Sequence, residues 1–284
     1  MHDGAAQLPS LLATAWPSLP EVMALAARWG AEWSDLSTPL LARDGDRLIA
    51  HVGVMPVQLV VDGAPVDAAA IHAVCTDPAH RRRGHASRAL QAALSRCEAQ
   101  GRALQALYAV EPPLYARHGF TPVAQHVLEW IGPRPPARPG RALDPLRVED
   151  DRARLLRAVA RRRAAARSWD LQGPAALYRL NLALHLRHGL RFTALDGPEA
   201  IVVHARRGEE LHVWDILGDE VELREALAAF SVPEDTLILR FDATAKAPRA
   251  AVRPRPRTDG DILMLRGGPR PTAPSLVISP LITW

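Results

Sequence analysis

The stretch Ile71-His72-Ala73-Val74-Cys75-Thr76-Asp77-Pro78-Ala79-His80-Arg81-Arg82-Arg83-Gly84-His85-Ala86-Ser87 decides how this chain is read. Its apolar first part reads as a strand that stops at Asp77-Pro78. From Arg83 onward Ala86, Leu90, Ala93, Leu94 and Cys97 recur at helical spacing, and Gly101 suits the end of that helix. A strand that turns straight into a helix leaves backbone N–H groups unpaired at the helix start. Those groups and the helix dipole form a seat for an anion. Gly84 lets a ligand approach the backbone, Ala86 keeps the next turn small, and Arg81, Arg82 and Arg83 add positive charge at the mouth. A diphosphate suits such a seat. An ordinary turn with solvated arginines has the same local sequence, so the stretch needs its neighbours to be interpreted.

Those neighbours alternate between helix and strand. Pro20–Trp33 has helical spacing, Pro39–Arg43 and Arg47–Val61 read as strands, and Asp62-Gly63 marks a hairpin into Pro65–Thr76. After the helix come a strand (Ala103–Val110), a short helix (Pro113–His118) and a last strand (Phe120–Ile131). Residues 133–146 contain Pro133, Pro135, Pro136, Pro139 and Pro145, a density that predicts a semi-rigid linker without regular structure. Beyond it helices are expected over Glu149–Ser168, Gly173–Gly189 and Val221–Phe230. Strands are expected over Phe192–Leu195, Ala200–Arg206, Glu210–Leu217, Thr236–Phe241, Ile262–Arg266 and Leu276–Ile282.

Arg81-x-x-Gly84-x-Ala86, placed after Thr76-Asp77-Pro78, resembles the acyl-CoA-binding motif of the GCN5-related N-acetyltransferases (the GNAT superfamily). Leu114-Tyr115-Ala116-Arg117-His118-Gly119-Phe120 resembles the second signature of that superfamily. The resemblance covers roughly residues 1–131. The lead-in Glu111-Pro112-Pro113 and the appended second half are similar to the Eis-like acetyltransferases, which carry two fused GNAT-like domains and a third domain for which this chain is too short. The resemblance implies an α/β fold with a mixed (α+β) sheet: a GNAT domain over 1–132, the linker 133–146, and a degenerate GNAT-like partner over 147–284. It implies acetyl-CoA as co-substrate, held by backbone groups of Val74, Cys75 and Thr76 on a splayed strand and by the loop Arg81, Arg82, Arg83, Gly84, His85, Ala86 and Ser87. It further implies that Tyr115 protonates the departing thiolate; a packing tyrosine with a satisfied hydroxyl is the plainer alternative.

An attacking amine must shed a proton, and three candidates could receive it. Histone-type relatives place a Glu where this chain has Ala70. His72 lies two residues along on the same strand face and titrates in a useful range, although a histidine merely packed in the sheet fits as well. Glu111, at the end of the next strand, reads equally as a solvated carboxylate. In Eis-like relatives the chain terminus serves, which here is Trp284. Cys75 reads as a small buried thiol, and direct transfer requires no cysteine nucleophile.

The chain has 284 residues, 48% of them hydrophobic, which excludes a disordered or fibrous protein. Two cysteines cannot build a disulfide framework or a zinc site, and no metal is expected. No apolar run is long enough to cross a membrane and no secretory leader is visible, so a cytoplasmic location is expected. Lys+Arg number 35 against 31 Asp+Glu, and only Lys246 is a lysine, so the arginine excess reads as compositional. The run Arg161-Arg162-Arg163 to Arg167 could touch nucleic acid, but Glu149, Asp150, Asp151 and Asp170 flank it and a solvated face is favoured. Asp215, alternating with apolar residues, reads as pairing at a strand. The expected activity is transfer of an acetyl group from acetyl-CoA to a primary amine on a small molecule or peptide. The other reading is a catalytically silent acyl-CoA-binding sensor. A homo-oligomer stays open.

Overall fold

A computed structural model describes residues 4–136, 138, 140–162, 168–229, 236–243 and 249–282. In the first half α1 (Gly4–Ala13), α2 (Leu19–Arg28) and α3 (Trp33–Leu36) precede β1 (Thr38–Asp44), β2 (Arg47–Val61) and β3 (Ala64–Thr76). Then come α4 (His85–Ala99), β4 (Leu104–Ala109), α5 (Pro113–Ala116), β5 (Thr121–Pro122) and β6 (His126–Trp130). In the second half β7 (Arg141–Leu143), α6 (Glu149–Arg161), β8 (Trp169–Leu171) and α7 (Ala175–His185) lead to β9 (Arg191–Ala194), β10 (Ala200–Arg207) and β11 (Glu210–Gly218). These are followed by α8 (Leu223–Ala228), β12 (Thr236–Leu239), β13 (Val252–Pro256) and β14 (Ile262–Arg266).

The strands form two seven-stranded sheets that share one plan over six strands and differ in where the seventh is added. The first runs β1-β2-β3-β4-β14-β5, with β8 added on β2; the second runs β13-β6-β12-β11-β10-β9-β7. In each sheet one parallel pair, β3 with β4 or β11 with β12, sits among antiparallel neighbours. Each sheet also takes its penultimate strand from the other half of the chain. β14 lies between β4 and β5, antiparallel to both. β6 lies between β12 and β13, again antiparallel to both. The segment expected as one strand over Phe120–Ile131 is therefore two short strands in different sheets. Once β14 fills the place beside β4, the chain leaving β5 crosses over, and Leu128 and Trp130 of β6 pack into the core of the second sheet.

Period-two burial sorts the side chains into three layers. On β14, Leu263 and Leu265 enter a core shared by both sheets, whereas Met264 faces the α4 side. On the second sheet Val202, Val213 and Leu239 pack against α8, and Val203 and Trp214 enter the shared core. Helices α2 and α7, one from each half, meet in that middle layer.

Other expectations need correction. The proline-rich linker contains β7, which pairs with β9 at the sheet edge; the flanking prolines leave its three residues free to pair. The helix from Glu149 ends at Arg161, and Trp169–Leu171 is a strand. Leu276–Ile282 makes one bridge, Leu276 to Gln125, and a short 3-10 turn at Pro280–Ile282. The arginine run is not a solvated face at Arg162. Its guanidinium is buried, bonded through Nε to Asp215 and through Nη2 to Asp170, both 3.1 Å, and lies over the Tyr178 ring. Arg163 and Arg167 lie outside the described residues. No helix of the described residues is long and apolar enough to cross a membrane.

Candidate acyl-transfer site

The site begins where a ladder ends. β3 and β4 pair from Ala68 with Leu104 to Ile71 with Leu107 and no further. On its other side β3 continues to pair with β2, through Cys75 with His51 and Thr76 with Ala50. Val74, Cys75 and Thr76 thus have no strand partner on the β4 side, and the two parallel strands open like a wedge. A bulge sets the opening. The β2–β3 register shifts between His51 and Gly53, and Ala73 adopts φ +48°. Left-handed backbone is costly for alanine, so something must hold it. The His51 Nδ1–H donates to the Ala73 carbonyl at 2.7 Å.

The strand end feeds the loop through a cap. Asp77 accepts from the Ala79 N–H at 2.9 Å and from Arg47 at 2.7 Å, and its own N–H donates to the Ile49 carbonyl at 2.8 Å. His80, then the Ala79 N–H and Arg47, hold its carboxyl below the ordinary aspartate range against the cost of burial. Arg82 (φ +61°) and Gly84 (φ +77°) bend the chain into α4, with Gly84 as N-cap. Arg81 reaches back to the Thr76 carbonyl (3.2 Å), and Arg88 closes on the Arg83 carbonyl (3.1 Å). No acidic side chain occupies the first turn of α4, and Arg81, Arg82 and Arg83 are exposed. His85, Ala86 and Ser87 form that first turn, where N–H groups point outward. Ser87 bonds His118 at 3.0 Å, which ties the start of α4 to the segment after α5.

Tyr115 stands on α5, half-buried, edge-on to Phe120 with ring centres 6.3 Å apart. Burial raises its phenol pKa above the ordinary value, and the carboxylates of Asp261 and Glu111 add to the effect. The hydroxyl therefore keeps its proton at neutral pH. Asp261 was not visible as a site residue in the sequence. It reaches Tyr115 because β14, which it precedes, pairs Ile262 with Ala109 at the end of β4. No motif marks it.

The proton acceptors fare differently. His72 is buried against Trp33, its Nε2 bonded to the Ser37 hydroxyl at 2.7 Å. It lies over Gly53, where an added Cβ would come within 2.2 Å of the ring. Burial pushes its pKa down to about 3, with His51 contributing. Glu111 is exposed, on the turn leading into α5. Trp284 lies outside the described residues. Of the residues before it, Pro280 and Leu281 have carbonyls that accept from His185 and Asn181 of α7 in the second half. The Cys75 thiol is buried and pushed up to about 11, mainly by that burial. Among the described residues no group of three or more His, Cys, Asp or Glu side chains could hold a metal ion.

Residues 6–123 match the family model of an acetyltransferase (GNAT) domain. Residues 6–123 thus resemble a GNAT domain, and the chain has a mixed α/β GNAT fold. It is 39% identical over 92 residues to an uncharacterized N-acetyltransferase of Streptomyces griseus; the match spans 32% of this chain and 22% of the relative. Similar solved structures include a probable N-acyltransferase of unknown function from Enterococcus faecalis, with a TM-score of 0.56 and 15% identity over 89% of this chain and 70% of that one. Eis1 from Mycobacterium abscessus gives 0.55 and 20% over 80% of this chain and 63% of that one. At such identities the likeness is one of fold. The match of residues 6–123 supports an acyltransferase domain there.

Proposed function

We propose that the protein moves an acetyl group from acetyl-CoA to a primary amine, with the working site in the half up to residue 132 completed by β14, and with 147–284 as its partner. The observation that carries this reading is the wedge between β3 and β4 beside an arginine-rich loop that opens a fifteen-residue helix. A thioester arm laid along Val74–Thr76 meets backbone groups without a strand partner, and the amides of residues 81–87 meet the diphosphate. A strand amide polarises the acyl carbonyl, and holding amine and thioester together supplies much of the rate. Tyr115, which keeps its proton at neutral pH, donates to the thiolate as the C–S bond breaks. His72 is a poor base here, since its pKa is depressed and Ser37 already engages Nε2. The exposed carboxylates of Glu111 and Asp261, whose charges reach Tyr115, are better placed to take the amine proton through water.

The test is Gly84→Glu. A Cβ at Gly84 would stand 3.1 Å from Arg88 Nη1, in left-handed backbone, and the new carboxylate would repel a diphosphate. Acetyl-CoA affinity should fall at least about 100-fold by calorimetry. Wild-type affinity in that variant would remove the site. Thiol release from acetyl-CoA across a panel of amines tests the transfer. Binding without release by any amine would favour the sensor.

A further inference from the structure

The second sheet carries a cavity of about 160 Å³ that none of the motifs absorbs. It lies on the sheet face turned toward the first half. Leu211, Val213, Leu237 and Leu239 point to the outer core, so His212, Ile238 and Arg240 take the opposite face, the one that carries Trp214 into the shared core. Four arginines line the cavity: Arg207, Arg240, Arg255 and Arg257. Two carboxylates anchor them. Arg240 makes a two-pronged contact with Asp259 at 2.7 and 2.8 Å, and Arg207 shares that carboxylate. Arg255 donates to Glu210 at 2.9 Å. Glu129, outside the cavity, pairs with Arg253 at 2.8 Å and also lies 3.7 Å from Arg255. His212 adds no charge, because burial and then Arg240 lower its pKa. Even with Glu129 counted, four guanidiniums face three carboxylates, which leaves an excess of positive charge around a small space. Arg240 is buried, and its Nε has no partner. Planar guanidiniums grouped this way match the geometry of a carboxylate or phosphate.

The wall of this cavity leads to the wedge. Arg257 bonds Gln125 through Nη1 at 2.7 Å, and Gln125 donates to the Asp261 carbonyl. Asp261 acts on Tyr115, and the next residue, Ile262, pairs with Ala109 at the end of β4. Residues 257–259 thus line the cavity, and Asp261 and Ile262, two and three positions further on, edge the proposed transfer site.

We propose that the arginine cavity binds an oxyanion, the carboxylate or phosphate group of the acceptor amine. The acceptor assignment rests on the acyl-transfer reading above; oxyanion binding does not. The first experiment is a calorimetric titration of the full chain with glutarate and with inorganic phosphate. At least one should bind, with affinity at least about tenfold weaker in the double variant Arg207→Ser/Arg255→Ser, whose changed side chains are half-exposed and not part of the core. Binding should persist in Gly84→Glu. Glutarate alone would mark a carboxylate site and phosphate alone a phosphate site. No binding by either overturns the proposal, as does binding abolished by Gly84→Glu but retained in the double variant. The second experiment compares thiol release from acetyl-CoA with β-alanine, O-phosphoethanolamine and n-propylamine. An anionic amine should show a KM at least about tenfold lower than propylamine, and the double variant should lose that preference. Oxyanion binding without such a preference overturns the acceptor assignment. Release with no amine at all removes the acyl-transfer reading and the acceptor assignment together, while the titration still decides whether the cavity holds an oxyanion.

Discussion

The two sheets share one strand plan and differ at the place where the first has its wedge. After β3 the chain runs through Arg81, Arg82, Arg83 and Gly84 into a helix of fifteen residues. After β11 it runs through Asp219, Glu220, Val221 and Glu222 into a helix of six. The first loop offers positive charge and amides; the second is acidic, and Asp219 is already engaged by Arg161 at 3.2 Å. The β10–β11 ladder is bulged as well, its register shifting between Val203 and His204, and the two bulges differ. His51 holds the carbonyl of Ala73, whereas the carbonyl of Trp214 accepts from Ser279, in the C-terminal segment packed against β11. A shared backbone plan therefore does not make a shared site: loop charge, helix length and what fills the opening differ between the halves, and only the first has the features of the proposed diphosphate seat.

The comparison can be broken most forcefully at its joint. Arg162 ties Asp170 of β8, which is paired to the first sheet, to Asp215 of the second. Arg162→Met would remove the buried guanidinium that both carboxylates bond and should cost about 3–5 kcal/mol, read as a fall in urea midpoint. A change under about 1 kcal/mol would show that the two halves do not depend on this charge. Next, Tyr115→Phe should lower turnover about 100-fold, about 2.7 kcal/mol, with acetyl-CoA affinity nearly kept. An unchanged rate removes Tyr115 from the mechanism.

Acid should weaken both halves through histidines held neutral. His72 is pushed down to about 3 and His204 to about 4, in each case chiefly by burial. Between such a value and the ordinary 6.5 the unfolded chain binds the extra proton, so stability is full above 6.5 and falls as pH drops toward the folded value. Each group contributes a slope of about 1.4 kcal/mol per pH unit in that window. His72→Gln and His204→Gln should each flatten the fall in urea midpoint between pH 6.5 and 5. An identical slope in either variant would mean that the histidine is charged when folded. The smallest effects compare the loops directly. Arg83→Glu should weaken acetyl-CoA binding about tenfold, more at low salt, while Glu222→Arg should leave it unchanged. Equal effects would mean that the second loop also meets the ligand.

Much of the site is legible along the chain because it is local. The strand end, the Asp77 turn, the arginine loop and the helix start follow one another within twenty residues, and each has a short-range signature. The position of Tyr115 relative to that loop is a matter of one strand and one turn. His72 illustrates the limit. Strand alternation puts it on a definite face, but only the packed structure reveals Ser37, Trp33 and Gly53 around it, and with them the burial that strips its basicity. In the second half β9 to β12 and β14 were legible, while β7, β8, β13 and the pairing were not. β13, Val-Arg-Pro-Arg-Pro, has no strand signature and exists because β6 offers it an edge.

The sequence alone determined most of the elements, the hairpins and the loop chemistry, since these depend on residues a few positions apart. The tertiary structure decided which sheet each strand joins, because hydrogen-bond ladders between strands carry no residue code. That choice exchanged β6 and β14 between the halves, and it brought Asp261 to Tyr115 and four scattered arginines to one cavity. Charges more than a hundred residues from the motifs entered the neighbourhood of the site through pairing that periodicity could not foresee.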